Sequence, residues 1–119
     1  MLRVGVVGLR RGSVYADIFS RLPECQVTAV CDLRPELAQA VAAQRPGAVA
    51  YTDYDAMVAK DLDLIVGATP VENHVEQAAA LSRNRHVLSE VPAAANLQDC
   101  RSLLRAVRNS KGKYMMAEN

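Results

Sequence analysis

The 119-residue chain has no tryptophan, one phenylalanine and four tyrosines, so only 4% of it is aromatic although half is hydrophobic. A core built without large rings must come mainly from Ala, Val and Leu, which suits helices packed closely on a buried sheet better than an all-β sandwich. Cysteine is scarce. Cys25, Cys31 and Cys100 form an odd, scattered set with no C-x-x-C spacing. That argues against a disulfide framework or a zinc site, favours a reducing compartment, and leaves all three as small buried hydrophobes. An excess of one charge is missing as well: 14 basic residues against 13 acidic leave a net charge of +1, with no basic block and no interleaving of basic and aromatic residues. Nothing therefore supports a nucleic-acid or polybasic membrane partner, and the expected ligand is small. No apolar run approaches the ~18 residues of a membrane span, and the N-terminus enters strand-like sequence directly without a signal peptide, so the expected location is cytoplasmic.

What is present begins at residues 3–13, RVGVVGLRRGS, where a β-branched run stops at glycines and leads into an amphipathic stretch. That reads as strand, tight turn and helix, and Asp32, 24 positions after Gly8, closes the next apolar run. The pattern outlines a dinucleotide-binding βαβ unit. Glycines allow close backbone approach to a pyrophosphate, whose charge sits at the partly positive helix N-terminus, and the acid accepts hydrogen bonds from ribose hydroxyls. Gly8, Leu9, Arg10, Arg11, Gly12 and Ser13 are thus the candidate pyrophosphate loop, and Asp32 is the candidate ribose ligand. In a G-x-G-x-x-G pattern counted from Gly8, Arg10 takes the second glycine position and Ser13 the third, with Gly12 one position early. The carboxylate of Asp32 repels a 2′-phosphate and so favours NAD, while Arg34 and the Arg10-Arg11 pair keep NADP open. Each residue also has a purely structural alternative: an ordinary turn for the glycines, and a helix cap beside Arg34-Pro35 for Asp32.

Further along, Val14, Ile18 and Leu22, with Tyr15 and Phe19 beside them, recur at helical spacing until Pro23. Residues 27–32 read as a strand, and Pro35 opens a helix through Leu37, Ala38, Val41 and Ala42 that ends before Pro46-Gly47. A strand over 48–51 and a short helix over 54–59, capped by Thr52 or Asp53, follow. Next come a strand over 62–68 stopping at Thr69-Pro70, a helix over 72–83, a strand over 86–89 and a turn over 90–92. A helix over 97–109 capped by Asn96 and a last strand over 113–117, with Met115-Met116-Ala117 buried, complete the chain. The alternation predicts one α/β domain over 1–119: a Rossmann-type, doubly wound parallel sheet in three layers, with strand order 3-2-1-4-5-6 and no repeat or linker. Ligands of such sheets bind beyond the strand carboxyl ends, so the turns after Val7, Cys31, Ala68 and Ser89 should line one crevice.

The segments RVGVVGLRRG, VTAVCD, LDLIVGATPVENHVEQAAAL, RHVLSEVPAA and YMMAEN, in that order and spacing, resemble the N-terminal domain of the glucose-fructose oxidoreductase / inositol dehydrogenase (Gfo/Idh/MocA) family over essentially the whole chain. The resemblance implies a domain that binds NAD or NADP, in a protein that moves a hydride to or from a sugar or polyol carbon held against a second, mostly β domain. It implies cofactor contacts at Ala68, Thr69, Pro70, His74, Glu90 and Asn119, beside Arg34 and the residues already named. For His74 a structural or capping role stands equally beside that one, and His86 reads as structural. Three positions depart from the family: Arg10 for a glycine, Val71 for the Asn that follows Thr-Pro, and Val91 for the Lys of Glu-Lys-Pro. That Lys supports proton transfer at the substrate hydroxyl, work Val91 cannot do. No catalytic or metal-binding residue is therefore assigned within the chain. The alternatives are a redox-inactive binding or regulatory module, and a protein that uses tightly held NAD in a non-redox sugar reaction. The 119-residue piece itself is expected to bind dinucleotide without oxidising sugars or polyols, and homo-oligomer formation stays open.

Overall fold

In the computed structural model, which describes residues 1–118, six short apolar runs, the central ones rich in β-branched residues, form the strands and the intervening stretches form the helices. The order along the chain is β1 (Leu2–Val7), α1 (Leu9–Arg21), β2 (Cys25–Cys31), α2 (Pro35–Ala43), β3 (Val49–Tyr51) and α3 (Tyr54–Val58). Then come β4 (Leu64–Gly67), a 3-10 helix (Val71–Glu76), α4 (Gln77–Ser82), β5 (His86–Glu90), α5 (Leu97–Arg108) and β6 (Tyr114–Ala117). All five strand pairings are parallel, and the sheet order is β3-β2-β1-β4-β5-β6, as the alternation predicts. Pro35 at the first turn of α2, Asp53 accepting from Asp55 N at 3.0 Å, and Asn96 accepting from Asp99 N at 2.8 Å fix three helix starts.

The central strands are buried on both faces. Val4, Val6, Val30 and Val66 pack under α1 and α2, while Ile65, Leu62, Met57 and Leu81 form the opposite core under α3 and α4. Among the described residues no helix is long and apolar enough to cross a membrane.

Four sequence expectations need correction. Val14, Ile18 and Leu22 are exposed, and α1 instead buries Leu9, Gly12 and Ala16. The reason is close approach: a Cβ on Gly12 would stand 2.8 Å from Val6 Cγ1, so small Gly12 and Ala16 face the sheet with Leu9, Tyr15 and Phe19 packed at the flanks, and Val14, Ile18 and Leu22 face away. The helix expected over 72–83 is split, because its first turns wind as a 3-10 helix before α4 begins. Met115 is 68% exposed and Met116 is exposed too, since β6 is an edge strand. Cys100 lies exposed on α5, Cys25 is half-buried and Cys31 is buried.

At the amino ends of β1 and β4, Arg3 donates to Asp63 through its backbone N at 2.8 Å and through Nε and Nη2 at 2.9 and 3.0 Å, and it also pairs with Asp61. These bonds hold the Asp63 carboxyl at about 2. A carboxylate depressed in the folded state contributes stability that is complete above its unfolded value near 4 and is lost as pH falls toward its folded value. Asp63→Asn is therefore expected to flatten the decline of stability between about pH 4 and pH 2, read by urea unfolding at each pH.

Candidate functional site

Parallel strands bring all their carboxyl ends to one edge of the sheet, and the cavity lies there. It measures about 710 Å³, and its floor and walls include Val7, Gly8, Arg10, Asp32, Arg34, Ala68, Thr69 and Pro70.

Gly8 joins β1 to α1 with φ 83° and ψ 73°, a left-handed conformation that side chains disfavour. A Cβ there would also stand 2.6 Å from Ala68 C and Thr69 N. Glycine is thus required twice, once by dihedral and once by the adjacent β4 turn. The peptide is tied down by Gly8 N donating to Cys31 O at 3.0 Å and by Gly12 N donating to Gly8 O at 2.8 Å. Leu9 N donates to Asp32 Oδ2 at 2.9 Å. Helix geometry gives the next two amides, of Arg10 and Arg11, no acceptor within α1. Arg10 and Arg11 also place two cations in a first turn that contains no acid. Positive charge at the positive end of a helix is unfavourable by itself and becomes favourable when an anion sits there.

Asp32 is buried directly after β2. Its Oδ1 accepts from Arg34 N at 2.9 Å and Arg34 Nε at 3.2 Å, while Oδ2 accepts from Leu9 N. Burial alone would raise its pKa, but these donors outweigh burial and hold the carboxyl below its ordinary value. Asp32 does not cap α2: Arg34 is the N-cap residue there, without a side-chain cap bond. A carboxylate offers about four acceptor positions, and three are filled, one of them by the half-exposed Arg34 side chain. An incoming hydroxyl finds one position free and a second if Arg34 turns outward.

The turn after β3 and the start of α3, which sequence reading left out of the crevice, contribute Thr52, Asp53, Tyr54 and Asp55, and the segment after β4 adds Asn73 and Glu76. The missed signal was topological, since a parallel β3 beside β2 must deliver its carboxyl end to the same edge. Burial and Asp55 raise the pKa of Glu76, and burial with Glu76 and Asp55 raises that of Tyr54. Burial pushes the Cys31 thiol up to about 11, which keeps it protonated and unreactive.

The remaining candidates divide. Ser13 is half-buried on α1, outside the cavity lining. Glu90 ends β5, but the turn after Ser89 does not line this cavity; its Oε2 accepts from Arg11 Nε at 2.7 Å, and that guanidinium lowers its pKa. Arg11 thus places a cation beside Glu90, two residues from the proline, where the resembling family has its Lys next in sequence. His74 is enclosed, with Nε2 2.9 Å from Thr69 O and Nδ1 2.7 Å from Pro92 O, so it lies behind the cavity wall and not on it. Asn119 lies outside the described residues. Among the described residues no group of three His, Cys, Asp or Glu could hold a metal ion.

Comparison with known proteins gives the family and the fold. The family described as "Oxidoreductase family, NAD-binding Rossmann fold", GFO_IDH_MocA, matches residues 2–118. A glycosyl hydrolase family 109 protein of Phocaeicola vulgatus is 34% identical over 130 residues, covering all of this chain and 25% of that protein. The solved WlbA dehydrogenase of Bordetella pertussis, in complex with NADH and UDP-GlcNAcA, is 28% identical with a TM-score of 0.88, over 98% of this chain and 36% of that one. The fold is shared equally with scyllo-inositol dehydrogenase of Lactobacillus casei, at a TM-score of 0.91 and 21% identity over 98% of this chain and 36% of that one. The chain therefore spans about a quarter to a third of the length of these proteins.

Proposed function

Because this chain belongs to the Gfo/Idh/MocA oxidoreductase family as an NAD-binding Rossmann domain, we propose that the cavity at the strand carboxyl ends is the NAD site of a protein acting on a sugar or polyol. The observation that carries this reading is Gly8. Its left-handed turn lets the backbone pass against Ala68-Thr69, and beyond Leu9 N, which Asp32 engages, the Arg10 and Arg11 amides are left for an anion. In this reading Gly8 to Gly12 hold the pyrophosphate, Asp32 accepts from the adenosine ribose, and Thr69-Pro70 and Glu90 border the nicotinamide half. When bound, NAD supplies a hydride acceptor. A second domain supplies the substrate contacts. Asp32, Asp53, Asp55 and Glu76 put four carboxylates on or around the cavity against Arg10 and Arg34, a balance that disfavours the extra charge of a 2′-phosphate and favours NAD over NADP.

Two observations favour a second reading of the whole protein's chemistry. Val91 stands where the family's Lys would assist proton transfer, and a relative matched along the whole chain is named a glycosyl hydrolase. NAD retained through each cycle of sugar hydrolysis satisfies both facts. Native mass spectrometry of freshly purified protein separates the readings: a retained nicotinamide dinucleotide supports hydrolysis with a resident cofactor, and an empty site supports exchange with free NAD.

Arg10 gives a sharper test of the pyrophosphate assignment. Its side chain lines the cavity at the open end of α1. Arg10→Ala is expected to weaken NAD roughly three- to tenfold and to reduce the salt dependence of binding, as loss of one charge contact requires. Calorimetry at low and at physiological salt checks both; tighter binding by the variant would mean that Arg10 only obstructs the loop.

A further inference from the structure

The polar side chains buried deepest in the protein stand behind the cavity and not in it. His74 is 1% exposed, Gln77 2% and Ser89 0%. They form one cluster: Gln77 Nε2 donates to Ser89 Oγ at 2.9 Å, Ser89 Oγ donates to Glu90 O at 2.9 Å, and the hydroxyl lies 3.5 Å from His74 Nδ1. Gly67, at the end of β4, leaves room for the Gln77 amide, which a Cβ there would displace. Stability does not explain this arrangement. Gln77 Oε1 has no partner among the described residues, and replacing such a buried polar pair by apolar groups of the same shape can be nearly neutral for stability.

What the cluster does is fix positions. The His74 ring nitrogens lie beside Thr69 O in the turn after β4 and Pro92 O in the turn after β5; a neutral ring donates to one of these carbonyls and packs against the other, so one rigid side chain spans the two turns. Ser89 fixes the second of them again through Glu90 O. If adenosine lies at Asp32 and pyrophosphate at α1, an extended dinucleotide continues along the sheet edge over the carboxyl ends of β4 and β5, where these turns stand.

We propose that His74, backed by Gln77 and Ser89, is a positioning residue for the nicotinamide half of the cofactor: it sets the separation of the Thr69-Pro70 and Glu90-Pro92 turns without touching the ligand. The assignment rests on the dinucleotide reading of the cavity. It predicts an effect confined to one half of the ligand, which a residue of merely structural importance would not show. The probes are ADP, followed by calorimetry, and NADH, followed by nicotinamide fluorescence. His74→Ala should leave ADP affinity within twofold, lower NADH affinity at least tenfold and return the emission of bound nicotinamide toward that of free NADH. His74→Gln, which keeps a side-chain N–H donor but loses the rigid ring that spans both turns, should fall between the two. Parallel loss of ADP and NADH, or NADH behaviour unchanged in His74→Ala, overturns the proposal. Should His74→Ala fail to fold, Ser89→Ala carries the same test with a smaller expected effect: selective weakening of NADH supports the proposal, and parallel or absent weakening overturns it. An unsubstituted protein that binds neither ADP nor NADH overturns the dinucleotide reading itself, and the proposal with it.

Discussion

Gly8→Ala is expected to destabilise the fold by about 2–5 kcal/mol and to abolish measurable NAD binding. Two costs add. The left-handed backbone at Gly8 is disfavoured for an L-residue by about 1–2 kcal/mol, and forcing an atom into packed structure costs about 1–3 kcal/mol more. The second cost cannot be relieved by a rotamer change, because the Cβ would stand 2.6 Å from backbone atoms of Ala68 and Thr69. Relief requires β1 and β4 to separate at their carboxyl ends, and that opens the cavity where the ligand's charge should sit. Urea unfolding gives the stability loss, and calorimetry on the folded fraction gives the binding loss. A variant of near-normal stability that binds NAD normally would show that the turn does not approach β4 as described.

Asp32→Ala is expected to lower NAD affinity by an amount on the order of 1–3 kcal/mol, the scale of a hydrogen bond to a charged group, and to narrow the gap to NADP. The same substitution should destabilise the apo protein, since it strands Leu9 N, which donates to Asp32 inside the structure. Asp32→Asn keeps an acceptor and should retain more stability than affinity. The pH dependence has a definite sign. The carboxyl is held below its ordinary value when folded, so its contribution is complete above the unfolded value near 4 and disappears as pH falls through the lower folded value. The Ala variant should therefore lose stability less steeply on acidification than the unsubstituted protein. Unchanged NAD affinity in Asp32→Ala would remove the ribose assignment.

The sheet was legible because its strands are short, β-branched and bounded by turn residues: Val4 to Val7 stop at Gly8, and Leu64 to Gly67 stop before Thr69-Pro70. The helix faces were harder to read. Periodicity in α1 finds the larger aliphatics, yet Gly12 and Ala16 face β1, because where the helix passes closest to the strand there is no room for a larger side chain at position 12. The extra 3-10 turns between β4 and α4 leave no trace in hydrophobic spacing, although they are what place His74 under two turns. Asp32 was visible as the acid after β2, but its bond to Leu9 N crosses 23 residues and needs the fold to be seen. Arg11 facing Glu90 across 79 residues is of the same kind.

The central claim is that NAD occupies the cavity at the carboxyl ends of β1, β2 and β4. The most direct measurement is a backbone amide NMR titration of the protein with NAD, mapped residue by residue. The account predicts saturable shifts concentrated at Gly8 to Gly12, at Asp32 to Arg34 and at Ala68 and Thr69, with little change along β6 and α5. Absence of shifts at millimolar NAD, or shifts centred away from the Gly8 turn, would contradict it.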